Sequence, residues 1–173
     1  MMRNFGLLVT RSVLGGYLAV HGAQKLFGAF GGHGLDATAT GFESMGLRPG
    51  KAVATLAGVS ELGGGILTVT GIADPLGPLA LSGAMAVAAA VHRKQGPLSQ
   101  NGGFELPLTN LALAIGIISA GPGRFRLGPR LPKSLARLTV LGTLTVAGLS
   151  LSQLLWAKTV TPPKAKPVSA VVE

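Results

Sequence analysis

The sequence predicts an all-α integral membrane protein, and three observations carry that prediction. Of its 173 residues, 47% are hydrophobic and only 12% are charged, about half the roughly 25% charged share of a soluble domain. Mean hydropathy is +0.51. Apolar runs near the roughly 20 residues that a bilayer crossing needs recur five times along the chain. So few charges cannot cover a water-facing surface, which sets aside a soluble enzyme, a disordered chain and a secreted disulfide scaffold. The chain has no cysteine. No thiolate nucleophile, disulfide relay, Fe–S cluster or Cys-bound zinc can be built from it, so any redox chemistry has to come from a bound cofactor or a partner.

The first span runs from about Phe5 to Leu26. Arg11 interrupts it and no clean small-x-small cleavage pattern follows, so a retained helix is expected rather than a signal peptide. A Gly-rich connection from Gly28 to Gly50 carries His33, Asp36 and Glu43, and its middle, Leu35 to Met45, reads as a short interfacial helix. The second span is Lys51 to Ala73 and the third Leu76 to His92; the turn Asp74-Pro75-Leu76-Gly77-Pro78 makes them a helical hairpin. The fourth, Leu106 to Ala120, has Pro107 in its first turn, where a missing N–H is harmless. Gly121-Pro122-Gly123 stops it abruptly. The fifth is Leu135 to Trp156, and the Pro- and Lys-rich tail after Lys158 is expected to be disordered.

A net charge of +9 raises nucleic-acid binding, but the basic residues lie mainly between the spans, where they meet lipid headgroups. Aromatic residues, 5% of the chain, supply no stacking platform. Arg3 and the dense cluster Arg124, Arg126, Arg130, Lys133 and Arg137 fall on one side, which is read as cytoplasmic together with the N-terminus. Small-residue stripes, Ala80, Ala84 and Ala88 in span three and Thr139, Thr143 and Ala147 in span five, are read as helix-packing surfaces.

The most informative residues are polar groups at membrane depth. Arg11 lies mid-way along span one and Glu61 ten residues into span two; an unpartnered charge there costs roughly 2.5–3.5 kcal/mol. Measured from Lys25, Arg11 is about 21 Å deep; measured from Lys51, Glu61 is about 15 Å deep, at 1.5 Å per residue. An Arg11–Glu61 ion pair between neighbouring helices is therefore expected. His21 and Lys25 close span one on a shared face, His92 ends span three and Glu105 begins span four. Each can be a headgroup anchor; together they can line a pocket above Arg11 and Glu61, suited to a quinone head or a small anion. A haem on His21 and His92, or a metal on His21, His92 and Glu105, is a lesser reading. The strings Gly31-Gly32-His33-Gly34 and Gly63-Gly64-Gly65 follow no strand, so dinucleotide and P-loop readings fail.

These residues fall into a pattern that resembles the DoxX family of small membrane proteins. The resemblance runs from Phe5 to Leu127. It rests on Arg11 with Gly15, the run His21-Gly22-Ala23-Gln24-Lys25-Leu26-Phe27-Gly28, Gly58 followed by Glu61-Leu62-Gly63-Gly64, His92, Gly103-Phe104-Glu105 and Gly121-Pro122-Gly123. It implies a four-helix transmembrane bundle over residues 1–131, to which this chain adds a fifth transmembrane helix within 132–158 and a tail over 159–173. It also implies a bacterial inner-membrane setting and a link to redox chemistry, since relatives include a subunit of a thiosulfate:quinone oxidoreductase and anchors of oxidative-stress assemblies. Arg11 and Glu61 become the candidate catalytic positions, and His21, Lys25, His92 and Glu105 the candidate quinone or anion pocket, with no metal.

Two functions follow as expectations. One is a quinone-associated subunit of a membrane oxidoreductase. The other is a non-catalytic accessory subunit or anchor that packs on a larger respiratory or oxidative-stress complex through its small-residue stripes and fifth span. A transporter is a weaker third, because no paired broken helices recur in repeated halves.

Overall fold

A computed structural model of the chain describes residues 1–156; the tail expected to be disordered lies outside the described residues. Those residues form six α-helices and no strand. They are α1 (Met2–Phe27), α2 (Gly34–Ser44), α3 (Gly50–Thr70), α4 (Leu76–His92), α5 (Glu105–Ala120) and α6 (Lys133–Trp156). The predicted spans and the interfacial helix each match one of these within a few residues. Among the described residues, three helical stretches are long and apolar enough to cross a membrane: α3, α4 with its continuation to Gln95, and α6; α5 is a shorter apolar helix. α1 has the length, at 26 residues, but Arg11 and His21 lower its apolarity.

α1 and α3 lie antiparallel with their backbones in close approach. A Cβ added at Gly15 would sit 2.6 Å from Gly65 O, and one at Gly22 would sit 2.6 Å from Gly58 O. The four glycines thus repeat at a spacing of seven on both helices, which keeps one seam of each helix against the other. α4 meets α3 in the same way, since a Cβ at Gly77 would come within 2.7 Å of Thr68 N. Larger side chains do the packing elsewhere. Leu14 and Leu18 of α1, Leu81 and Met85 of α4, and Ala114 and Ile117 of α5 form the buried apolar core.

The glycine contacts set the α1–α3 register, and they correct the expected Arg11–Glu61 pair. Lys25, not Arg11, reaches Glu61. The expected Arg11–Glu61 pairing requires Lys25 and Lys51 to sit level. Instead the first turns of α3 extend past the end of α1 and pack on α2. There Lys51 Nζ meets Asp36 at 3.0 Å, and Gly50 N donates to Glu43 Oε1 at 3.0 Å. Glu61 is consequently level with the end of α1, and Arg11 lies against the last turn of α3, seven residues or about 10 Å further along.

At that last turn Arg11 completes the helix. The final carbonyls of a helix have no intrahelical donor. Gly71, at φ 68, turns the chain and donates its N–H to Leu67 O at 2.8 Å. Arg11 supplies the next two bonds, Nε to Thr68 O at 2.8 Å and Nη2 to Val69 O at 2.7 Å. Leu127 N donates to Thr70 O at 2.9 Å. The other side of the Arg11 fork holds the segment after α5: Nη1 donates to Phe125 O at 2.8 Å and also to Pro122 O. One buried guanidinium, 1% exposed, therefore ties α1, α3 and the 121–131 segment together.

Candidate functional site

The described residues enclose a cleft of about 410 Å³ between α3, α4 and α6, closed at one end by α2 and the turn after it. Small side chains create it. Ala80, Ala84 and Ala88 of α4 face Thr139, Thr143 and Ala147 of α6 around this space. Of the residues read as packing surfaces, Thr143 packs closely on α4, where a Cβ at Gly83 would meet its Cγ2 at 2.8 Å, and Ala80 packs on α3, where a Cβ at Gly64 would meet its Cβ at 3.1 Å; both stripes also border the cleft. Leu56, Val87 and Val91 add apolar wall. The volume lies in the range of about 300–1,000 Å³ typical of small-molecule pockets.

Ionised groups enter this lining at one place. Lys25 Nζ and Glu61 Oε2 form an ion pair on the cleft wall. Glu61 is buried, at 4% exposure, while the Lys25 side chain keeps 25% of its surface. Burying a carboxylate without a partner is strongly unfavourable, and Lys25 supplies that partner to Glu61. The pair presents an ammonium donor and a carboxylate acceptor side by side in an otherwise apolar space.

The remaining expected site residues part company. His92, at the end of α4, lines the cleft, and its Nδ1 lies 2.8 Å from Gly102 O, which fixes the ring. Glu105 is exposed and accepts from Ser99 N at 2.9 Å, closing the 99–105 turn rather than entering the cleft. His21 is exposed and lies outside the cleft lining. Arg11 donates its side-chain hydrogen bonds to backbone carbonyls of α3 and the 121–131 segment. Among the described residues no group of three His, Asp or Glu side chains is placed to hold a metal, so the His21–His92–Glu105 alternative is set aside.

A family model matches this arrangement: DoxX, over residues 6–93, just over half the chain. The chain belongs to the DoxX family. No curated relative and no solved structure matches it. The DoxX match runs from within the first turns of α1 to just past the end of α4, so it includes Arg11, His21, Lys25, Glu61 and His92, and it ends before Glu105 and the Gly121-Pro122-Gly123 stop. With its apolar helices, the DoxX chain is a multi-pass membrane protein whose outer faces contact lipid.

One buried carboxylate escaped the sequence reading. Asp74, expected only as a turn residue, is 3% exposed and accepts from Arg130 Nε at 3.2 Å. Burial pushes its carboxyl above the ordinary range, against the opposing pull of Arg130, Arg11 and Arg126. A carboxyl with a raised folded-state pKa binds its proton more readily in the folded state, so the cost of ionising it appears as pH rises through that pKa. Asp74→Asn is accordingly expected to flatten the loss of stability between acid and neutral pH. Melting curves of the two proteins across that range check this, and parallel curves would contradict it.

α6 is fastened at both ends. Leu131 N, just before it, donates to Asp74 O at 2.9 Å. Near its other end Gln153 Nε2 donates to Arg48 O at 2.7 Å and Gln153 Oε1 accepts from Arg48 N at 3.2 Å. Between these ties it packs on α4 and forms one wall of the cleft.

Proposed function

We propose that this DoxX-family protein is a subunit of a membrane oxidoreductase and that the α3–α4–α6 cleft receives a quinone. The observation that carries the reading is the buried Lys25–Glu61 pair on the wall of an apolar cleft. A quinone supplies two-electron, two-proton redox chemistry, which the cysteine-free chain lacks. Its polar ring and apolar tail match a site with one ionised pair and otherwise small apolar side chains. Lys25 Nζ would donate to a carbonyl oxygen and orient the ring. Glu61 Oε2 would hold the proton that accompanies the electrons, with His92 at the cleft edge passing it onward. In this reading Arg11 is a structural residue. α1 and α5 cross the membrane with the other three helices, giving a bundle of four and one added helix. The protein sits in the bacterial inner membrane with the N-terminus and the arginine-rich end in the cytoplasm.

The test is quinone extracted from the purified full chain, together with quinone-dependent oxidation in native membranes. Wild-type protein is expected to carry quinone. Ala147→Phe, which fills the cleft, is expected to lose most of it while melting normally. Glu61→Gln should keep the fold and the quinone yet depress quinone-dependent turnover by roughly 10²-fold or more, the scale of a lost acid–base group. Quinone-free wild-type protein, or an Ala147→Phe variant that retains it, would sink the proposal.

A second reading is favoured by α6. It is apolar enough to cross a membrane, yet none of that stretch is buried inside the described fold. As an anchor, the chain would dock on a redox partner through α6, and removing the residues after Leu131 would abolish assembly while Glu61→Gln left it intact. Normal assembly of the truncated chain would remove this reading.

A further inference from the structure

We infer that the 121–137 segment is a docking site for anionic phospholipid headgroups. The ends of five helices meet here: the start of α1, the end of α3, the start of α4, the end of α5 and the start of α6. Two hydrogen bonds fasten α1 to this end, Arg3 Nη2 to Ala120 O at 3.0 Å and Arg124 N to Asn4 Oδ1 at 3.2 Å. Arg124, Arg126, Lys133 and Arg137 are exposed and form no ion pair among the described residues. Asp74, the acid at this end among those residues, is buried and bonded to Arg130, and beyond that pair it attracts Arg126 and Arg11 without an ion-pair contact, so one carboxyl stands against the whole cluster.

The opposite end differs in kind. Its cations are interspersed with Asp36, Glu43, Glu61 and Glu105, and two of them are paired, Lys25 with Glu61 and Lys51 with Asp36. The arginine-rich segment is also held in shape by backbone bonds. Leu127 N reaches Thr70 O, Ala73 N reaches Pro129 O and Leu131 N reaches Asp74 O, each at 2.9 Å, beside the two Arg11 bonds to Pro122 and Phe125. Guanidinium forks match phosphate oxygens in a bidentate geometry. Exposed Phe125, Leu127, Leu135 and Leu138 lie among these cations, so one surface offers contacts for both a phosphate and an acyl chain. That combination selects a lipid over a free phosphate. Its position at the ends of apolar helices places the cations at headgroup depth.

The test uses the full chain in detergent, titrated with phosphatidylglycerol or phosphatidylcholine, with bound lipid counted by native mass spectrometry. Wild-type protein is expected to retain phosphatidylglycerol at least about tenfold better than phosphatidylcholine, given roughly fivefold for each cation near an anionic surface. The exposed triple variant Arg124→Gln, Arg126→Gln, Arg137→Gln should lose that preference with an unchanged melting curve. The opposite-end variant Arg48→Gln, Arg93→Gln, Lys94→Gln should keep it, and millimolar inorganic phosphate should not displace the lipid. Equal retention of both lipids would overturn the inference. So would a preference that survives the first variant or disappears with the second, and displacement by inorganic phosphate would reassign the site to a free anion.

Discussion

Arg11→Ala is expected to destabilise the protein by on the order of 3–5 kcal/mol, because each buried carbonyl left without its donor costs about 1–3 kcal/mol. The substitution strands Thr68 O and Val69 O at the end of α3 and frees Pro122 O and Phe125 O in the 121–131 segment. Arg11→Lys is expected to recover little, because one ammonium cannot serve carbonyls on two elements at once as a planar fork does. Thermal melting of the full chain in detergent measures both, and an Arg11→Ala protein that melts with the wild type would contradict the assignment. Combining Arg11→Ala with Glu61→Gln separates the geometry seen here from a direct pair. Residues without shared partners give additive effects, whereas an ion pair would leave a large interaction energy.

The second large effect lies in the α1–α3 seam. Gly22→Val and Gly65→Val are expected to cost at least the ~1–3 kcal/mol of ordinary overpacking, because the new side chains meet backbone rather than movable side-chain tips. At Gly22 the Cβ alone would fall 2.8 Å from Leu62 Cα, and at Gly65 it would fall 2.7 Å from Ala19 N. Gly63 is the control: it lies in the same run of three glycines on α3, yet a Cβ there meets nothing within 4 Å. Gly63→Ala should be neutral or slightly stabilising, through improved helix propensity. If the three variants melt alike, the seam is not set by these glycines. Separation of α1 from α3 would also part Lys25 from Glu61, so the Gly22 and Gly65 variants should lose the quinone proposed for the cleft together with stability.

Much of the architecture can be read from local pattern. The lengths of the apolar runs, Pro107 in a first turn and the Gly121-Pro122-Gly123 stop each act within a few residues, and the helices follow them; Gly71 is the exception, ending α3 at Thr70 where the expected span ran on to Ala73. Glu61 and Lys25 stand out in the same local way, as charges where apolar residues dominate. Their pairing is not local. It depends on how far α3 slides along α1, and that offset comes from glycine contacts between helices and from the packing of α2 on the first turns of α3. An error of two turns in that offset transfers Glu61 from one cation to the other.

Asp74 shows the same limit at a turn. A carboxylate in a turn just before the prolines that open α4 looks solvated, and its burial follows from the 121–131 segment folding back over it, more than 45 residues later in the chain. The cleft is of this kind too. Stripes of Ala, Gly and Thr mark a face on which helices can approach closely, but whether two such faces touch or leave a space depends on where α6 is tied. Its ties, Leu131 to Asp74 and Gln153 to Arg48, join residues separated by dozens of positions. Composition and short-range spacing were thus enough for the membrane class and the helices, because propensity and hydrophobic transfer act residue by residue. Which charges meet, and that a cavity opens beside them, follows from long-range fit between backbones, where the absence of a single Cβ at Gly15 or Gly22 sets the distance.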